Sequence, residues 1–119
     1  MKRKRKHRRA IIIPDQHFPL HDERAVNVVL KAIALVKPNI FINLGDVGEW
    51  ESVSSWKYKK IKQPPLEYQL PIIDEEIAAV NDGIDLFDKA LDSVKCKERY
   101  ICAGNHDEWL ASFVERYPY

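Results

Sequence analysis

The sequence predicts an α/β domain with a largely parallel sheet, and three observations predict it. Short, largely apolar runs carrying Ile recur at residues 10–14, 39–44 and 98–103. Segments with helical spacing of apolar residues separate them. A polar turn follows each run, and Gly45 and Gly104 open two of these turns. Alternating strands and helices build βαβ units, in which parallel strands are covered by the helices between them.

Each element has a local cause. Residues 10–14 (AIIIP) read as a buried strand closed by Pro14. The loop DQHFPLHD follows, and Asp22 is placed to cap a helix. Val26, Val29, Leu30, Ile33 and Ala34 recur at helical spacing, which predicts an amphipathic helix over 23–36 that Pro38 ends. Residues 39–44 (NIFINL) predict a second strand, stopped by Gly45. From 45 to about 70 the chain is polar and aromatic, with Pro64, Pro65 and Pro71, and few elements can be assigned there. Ile73, Ile77, Val80, Ile84, Phe87 and Leu91 predict a helix over 72–94. Gly83 inside it costs about 1 kcal/mol against Ala, which predicts a bend or break. Residues 98–103 predict the third strand, and 107–116 a last helix stopped before Pro118.

Length and composition bound the rest. The chain has 119 residues, 45% hydrophobic and 31% charged, with a net charge of +1. That describes one small globular domain and excludes collagen-like and disordered chains. No apolar run approaches the roughly 20 residues that cross a bilayer, and the charged N-terminus lacks the apolar core of a signal peptide. Cys96 and Cys102 are too few for a disulfide scaffold, so a cytoplasmic setting is expected. Residues 2–9 (KRKRKHRR) hold 7 of the 19 basic residues, leaving 12 basic against 18 acidic in the body. Residues 1–9 thus read as a solvated, disordered basic arm, with order beginning at Ala10, and 10–119 as the domain. Such an arm suits a polyanion such as nucleic acid.

Ligands of open α/β sheets collect beyond the carboxyl ends of the strands. Three segments sit there: Asp15-Gln16-His17, Gly45-Asp46-Val47-Gly48-Glu49, and Gly104-Asn105-His106-Asp107. Parallel strands bring all three to one rim. Carboxylate, imidazole and amide ligands together suit Mn, Fe or Zn in a hydrolytic site better than structural zinc, which favours thiolates. Gly45 and Gly104 let the backbone turn sharply, so that the next side chain points into the site.

The pattern D-x-H … G-D-x-x-E … G-N-H-D, in this order and each after a predicted strand, resembles the calcineurin-like metallophosphoesterase superfamily. It looks most like phage and prophage members, in which a Ser-aromatic stretch follows the second motif, as Ser54-Ser55-Trp56 does here. The resemblance runs from about residue 10 to 117. It implies that Asp15 and His17 bind a first divalent metal, Asp46 bridges two, and Asn105 binds the second. It implies that His106 acts beside the leaving oxygen as general acid or transition-state stabiliser, with Asp107 orienting it. A metal-held hydroxide would then attack a phosphate mono- or diester. Glu49 stands where the family often has Asp, and its role stays open. Glu49-Trp50 also replaces the Asp-Arg pair of the protein phosphatases.

The family pattern continues with a further His and a Gly-His-x-His motif. The chain has four histidines (His7, His17, His21 and His106) and no Gly-His dipeptide. The expected fold is therefore the N-terminal βαβαβα half of a truncated metallophosphoesterase sandwich. Expected with it are weak or single-metal binding, low activity in isolation, an open sheet edge and an uncovered apolar face. A competing reading is a non-catalytic fragment that binds nucleic acid through its arm. A Rossmann-type nucleotide binder is disfavoured, because no G-x-G-x-x-G follows the first strand. His21 reads as a loop residue, Cys96 and Cys102 as structural, and Trp50, Trp56, Tyr58 and Tyr68 as packing for the long loop.

Overall fold

The structure is a computed structural model that describes residues 7–54 and 65–116. Its elements run β1 (Ala10–Ile13), α1 (Glu23–Val36), β2 (Ile40–Asn43), α2 (Leu66–Ser93), β3 (Glu98–Ile101) and α3 (Asn105–Arg116), with one 3₁₀ turn at Glu51–Val53. The sheet is all parallel, in the order β1-β2-β3. The α/β class and the βαβαβα order are therefore as the sequence predicts. No described helix is long and apolar enough to cross a membrane.

The register places Ile11, Phe41 and Arg99 in one row and Ile12, Ile42 and Tyr100 in the next. Side chains alternate across a strand, so these rows face opposite ways. The first looks into the core, where Phe18, Ile33, Phe41, Phe87, Leu91 and Cys96 are buried. The second is bare: Ile12 and Tyr100 are each 56% exposed. The pairing continues past the carboxyl ends of β2 and β3, because Leu44 N–H donates to Ile13 O and Cys102 N–H donates to Asn43 O, both at 2.8 Å.

Asp22 caps α1, as its place before the periodic segment predicts: its carboxylate accepts Arg24 N–H at 2.9 Å and Ala25 N–H at 3.2 Å. Lys37, in the left-handed region at φ 51°, closes the other end. Helix α2 departs from expectation in two ways. It starts at Leu66 and runs through Pro71, although proline removes one backbone donor. It also passes Gly83 without a break, because the Phe18 ring lies where a Cβ would stand, 2.4 Å from Cε2. A packed ring, not a bend, is the reason for glycine there.

Bonding begins before Ala10. Arg8 pairs with Glu98. The Arg9 guanidinium donates to Val36 O at 3.0 Å, and Arg9 O accepts Asn39 N–H at 2.8 Å. The basic run is thus anchored at the amino ends of the strands. Residues 1–6 of the arm, and Ser55, Trp56 and Tyr58, lie outside the described residues.

Candidate metal centre

The three post-strand segments do meet at one rim, and backbone hydrogen bonds join the first two. Asp15 N–H donates to Gly45 O at 3.1 Å, His17 N–H to Asp46 O at 2.9 Å, and Phe18 N–H to Val47 O at 2.8 Å. Asp15, His17 and Asp46 all have φ between 51° and 53°. Non-glycine residues are uncommon in that region. The tight turn also uses buried Asn43, whose Oδ1 accepts Gly45 N–H at 3.0 Å and whose amide donates to Gln16 Oε1 at 2.8 Å.

Two carboxylates clip the third segment to the second. Asp107 Oδ2 accepts Asp46 N–H at 2.8 Å and Gly104 N–H at 3.0 Å, while its Oδ1 accepts the Trp50 indole N–H at 3.1 Å. In return, Asp46 Oδ1 accepts His106 N–H at 2.8 Å. The two segments approach so closely that both glycines are required. A Cβ on Gly45 would lie 2.5 Å from Gly104 N, and one on Gly104 would lie 2.3 Å from Asp46 Oδ1.

Ligand-bearing side chains then form two groups that share His17. Asp15, His17 and Asp46 offer atoms within 4.8 Å of one another, and so do His17, Glu49 and His106. His17 Nε2 faces Asp15 Oδ1 at 3.9 Å, and its Nδ1 faces Glu49 Oε2 at 2.9 Å. The second contact lies off the direction of a hydrogen bond, so the buried Nδ1 has no hydrogen-bond partner. The His106 ring stands edge-on to the His17 ring at 4.6 Å and lies over Trp109 at 4.1 Å. Its Nδ1 is 2.6 Å from the Glu49 carbonyl oxygen. A carbonyl only accepts, so Nδ1 carries a proton and Nε2 is the atom left for chemistry.

These donors fit a divalent cation. In the first group His17 Nε2 stands 3.9 Å from Asp15 Oδ1, and Asp46 offers an oxygen within 4.8 Å of both. Two ligands on one cation, each about 2.1 Å from it, stand between about 3.0 Å apart at right angles and about 4.2 Å apart across it. The oxygen-rich neighbours, Asp15 and Asp46, suit Mn, Fe or Zn.

The six residues singled out in the sequence differ in placement. Asp15, His17, Asp46 and His106 share the rim. Asn105 is the exposed first residue of α3, held between the bonded Gly104 and His106 amides. Asp107 is present, but its hydrogen bonds go to Asp46, Gly104 and Trp50; the His106 ring is held by the Glu49 main chain. Glu49, whose role was open, is a member of the second group. Its spacing three residues after Asp46 is the signal that points to it. Trp50 is 4% exposed and reaches Asp107, whereas Tyr68 is 66% exposed and away from the packing. His21 stacks on Phe18 at 4.5 Å and belongs to neither group. Cys96 is buried, Cys102 is exposed, and both are free thiols. Comparisons of the chain with protein-family models, with curated proteins and with solved structures find no match, so the functional reading rests on these residues alone.

Proposed function

We propose that the chain is a metal-dependent phosphoesterase of calcineurin-like type. The observation that supports this most directly is the convergence of Asp15, His17 and Asp46 from two segments, with Glu49 and His106 beside them. Asp15, His17 and Asp46 would hold one divalent cation, with Glu49 against the other nitrogen of His17. A cation there would lower the pKa of a water molecule toward neutrality and offset phosphate charge.

The chain's own groups supply the rest. His106 keeps Nε2 for chemistry, because Nδ1 is committed to the Glu49 carbonyl. In the protonated ring, Nε2–H donates to a phosphoryl or leaving oxygen; after transfer the ring stays neutral with Nδ1–H in place. Asp107 is a positioning residue that holds the Asp46 backbone. With three protein ligands in the first group, the expected stoichiometry is one tightly held cation per chain.

Calorimetric titration with Mn²⁺, followed by hydrolysis of bis-p-nitrophenyl phosphate and p-nitrophenyl phosphate, tests this. The expected result is one saturable site, and ester hydrolysis that Asp46→Asn and His17→Ala each lower by at least about 100-fold. Hydrolysis or Mn²⁺ affinity unchanged in Asp46→Asn would overturn the reading.

A further inference from the structure

The loops that enter β2 and β3 repeat one pattern at the amino ends of the strands. Lys37-Pro38-Asn39 leads into β2, and Lys95-Cys96-Lys97 leads into β3. In each, a lysine lies just past a helix with a left-handed backbone, at φ 51° and 60°. The next residue is buried and the third is exposed. Ile40 pairs with Glu98 in the parallel register, so Lys37 and Lys95 hold equivalent places in turns that feed strands about 5 Å apart. Glycine is the residue of least steric cost at such a helix end. A cation also favours a helix carboxyl end, but neither α1 nor α2 has a basic residue in its last turn, where that effect acts.

The charge at this end is not cancelled. Glu98 pairs with Arg8, and Asp88 and Asp92 pair with Arg99. Lys37, Lys95 and Lys97 are exposed and have no ion-pair partner among the described residues, and the Arg9 guanidinium bonds the neutral Val36 carbonyl. The rim lies at the other end of four-residue strands, about 13 Å away, and carries Asp15, Asp46, Glu49 and Asp107. A polyanion is therefore drawn to the amino end and repelled from the rim. Residues 2–9 hold no apolar residue that could enter a bilayer, so a phosphodiester backbone fits this face better than a lipid surface. We propose that the amino-end face of the sheet binds the phosphate backbone of duplex nucleic acid, with Lys37, Lys95 and Lys97 as contacts beside Arg9, and holds it away from the rim. This goes beyond the phosphoesterase reading: nucleic acid on this face is a tethered partner and not the ester that the rim would cleave.

The test is fluorescence anisotropy of a labelled 20-base-pair DNA duplex with the full chain, in EDTA, over a salt series. Wild type is expected to bind saturably at 0.1 M salt. Lys37→Gly/Lys95→Gly, which suits the left-handed backbone, weakens binding at least about tenfold and makes the slope of log K against log salt shallower by about 2. Lys37→Gln/Lys95→Gln does the same, and circular dichroism verifies that both are folded. Arg24→Gln/Lys31→Gln, an equal loss of charge elsewhere on α1, leaves affinity within about twofold. Absence of saturable binding by wild type overturns the proposal. So does affinity unchanged in both lysine variants, which leaves binding to residues 2–6 alone, or an equal loss in the Arg24/Lys31 control, which reduces the effect to net charge. Displacement of the duplex by phosphatidylserine–phosphatidylcholine vesicles at equal phosphate overturns it in favour of a membrane surface. All readouts are made with metal removed and without hydrolysis, so failure of the phosphoesterase reading leaves them intact.

Discussion

The Asp107 carboxylate accepts three hydrogen bonds, two of them from backbone groups of different segments. Asn at this position keeps one oxygen for the two backbone amides and turns an NH₂ toward the Trp50 indole N–H. Asp107→Asn is therefore expected to cost about 1–3 kcal/mol in urea unfolding and to weaken Mn²⁺ binding through a loosened Asp46. Trp50→Phe removes the opposed donor, so it should cost less in the Asn background than in the wild type; a double-mutant cycle reads this directly. Glu76 gives a pH prediction. Its folded-state pKa is raised by burial, so the folded chain binds that proton more tightly than the unfolded chain. The penalty is absent at acid pH and appears as pH rises through the raised value. Glu76→Gln should thus unfold at a higher temperature than the wild type near pH 7, and the gap should close on acidification. Thermal unfolding between about pH 4 and 7 checks the sign.

At the scale of elements, α2 shows tertiary packing overriding propensity. Gly83→Ala in a free helix would stabilise by about 1 kcal/mol. Here the added Cβ meets the Phe18 ring, which is 2% exposed and one residue from His17. The substitution is expected to destabilise by about 1–3 kcal/mol, the usual cost of overpacking, and to reduce Mn²⁺ affinity by shifting the first loop. The carboxyl end of α2 is tied to β3 by one side chain. Arg99 donates to Asp92 at 2.6 Å, Asp88 at 3.2 Å and the Cys96 carbonyl at 2.9 Å, and the Asp92 hydrogen bond leads the causes that raise its pKa. Arg99→Ala should cost about 1 kcal/mol, less in high salt, measured by urea unfolding at two ionic strengths.

Across the whole molecule, the two ends of the sheet differ in the charged groups they carry. Arg8 and Arg9 are anchored where the strands begin, and the rim lies where they finish. The basic arm is thus rooted a strand length from the proposed cation ligands. Deleting residues 2–6 should leave hydrolysis of small esters intact, with any change confined to the salt slope of DNA binding. The row of Ile12, Ile42 and Tyr100, together with Ile101 at 60% exposure, leaves apolar surface on one sheet face and on edge strand β3. Exposed edges of this kind promote association, and Tyr100→Lys should lower it, as read by sedimentation velocity over a concentration series.

Much of the fold was legible in the chain. Buried parallel strands write themselves as apolar runs, the α1 stripe and its Asp22 cap follow from periodicity and hydrogen-bonding chemistry, and chain order together with parallel pairing dictates that Asp15, Asp46 and His106 face one rim. These are local or topological facts, so residue type and spacing suffice. What only the tertiary structure decided are contacts between segments far apart in sequence. They include Asp107 bonding Asp46 instead of the His106 ring, Glu49 facing the second nitrogen of His17, Phe18 occupying the space above Gly83, and Glu76 buried under the rim with an unpaired oxygen. Each depends on distance and direction between residues 24 to 65 positions apart, and no periodicity encodes that.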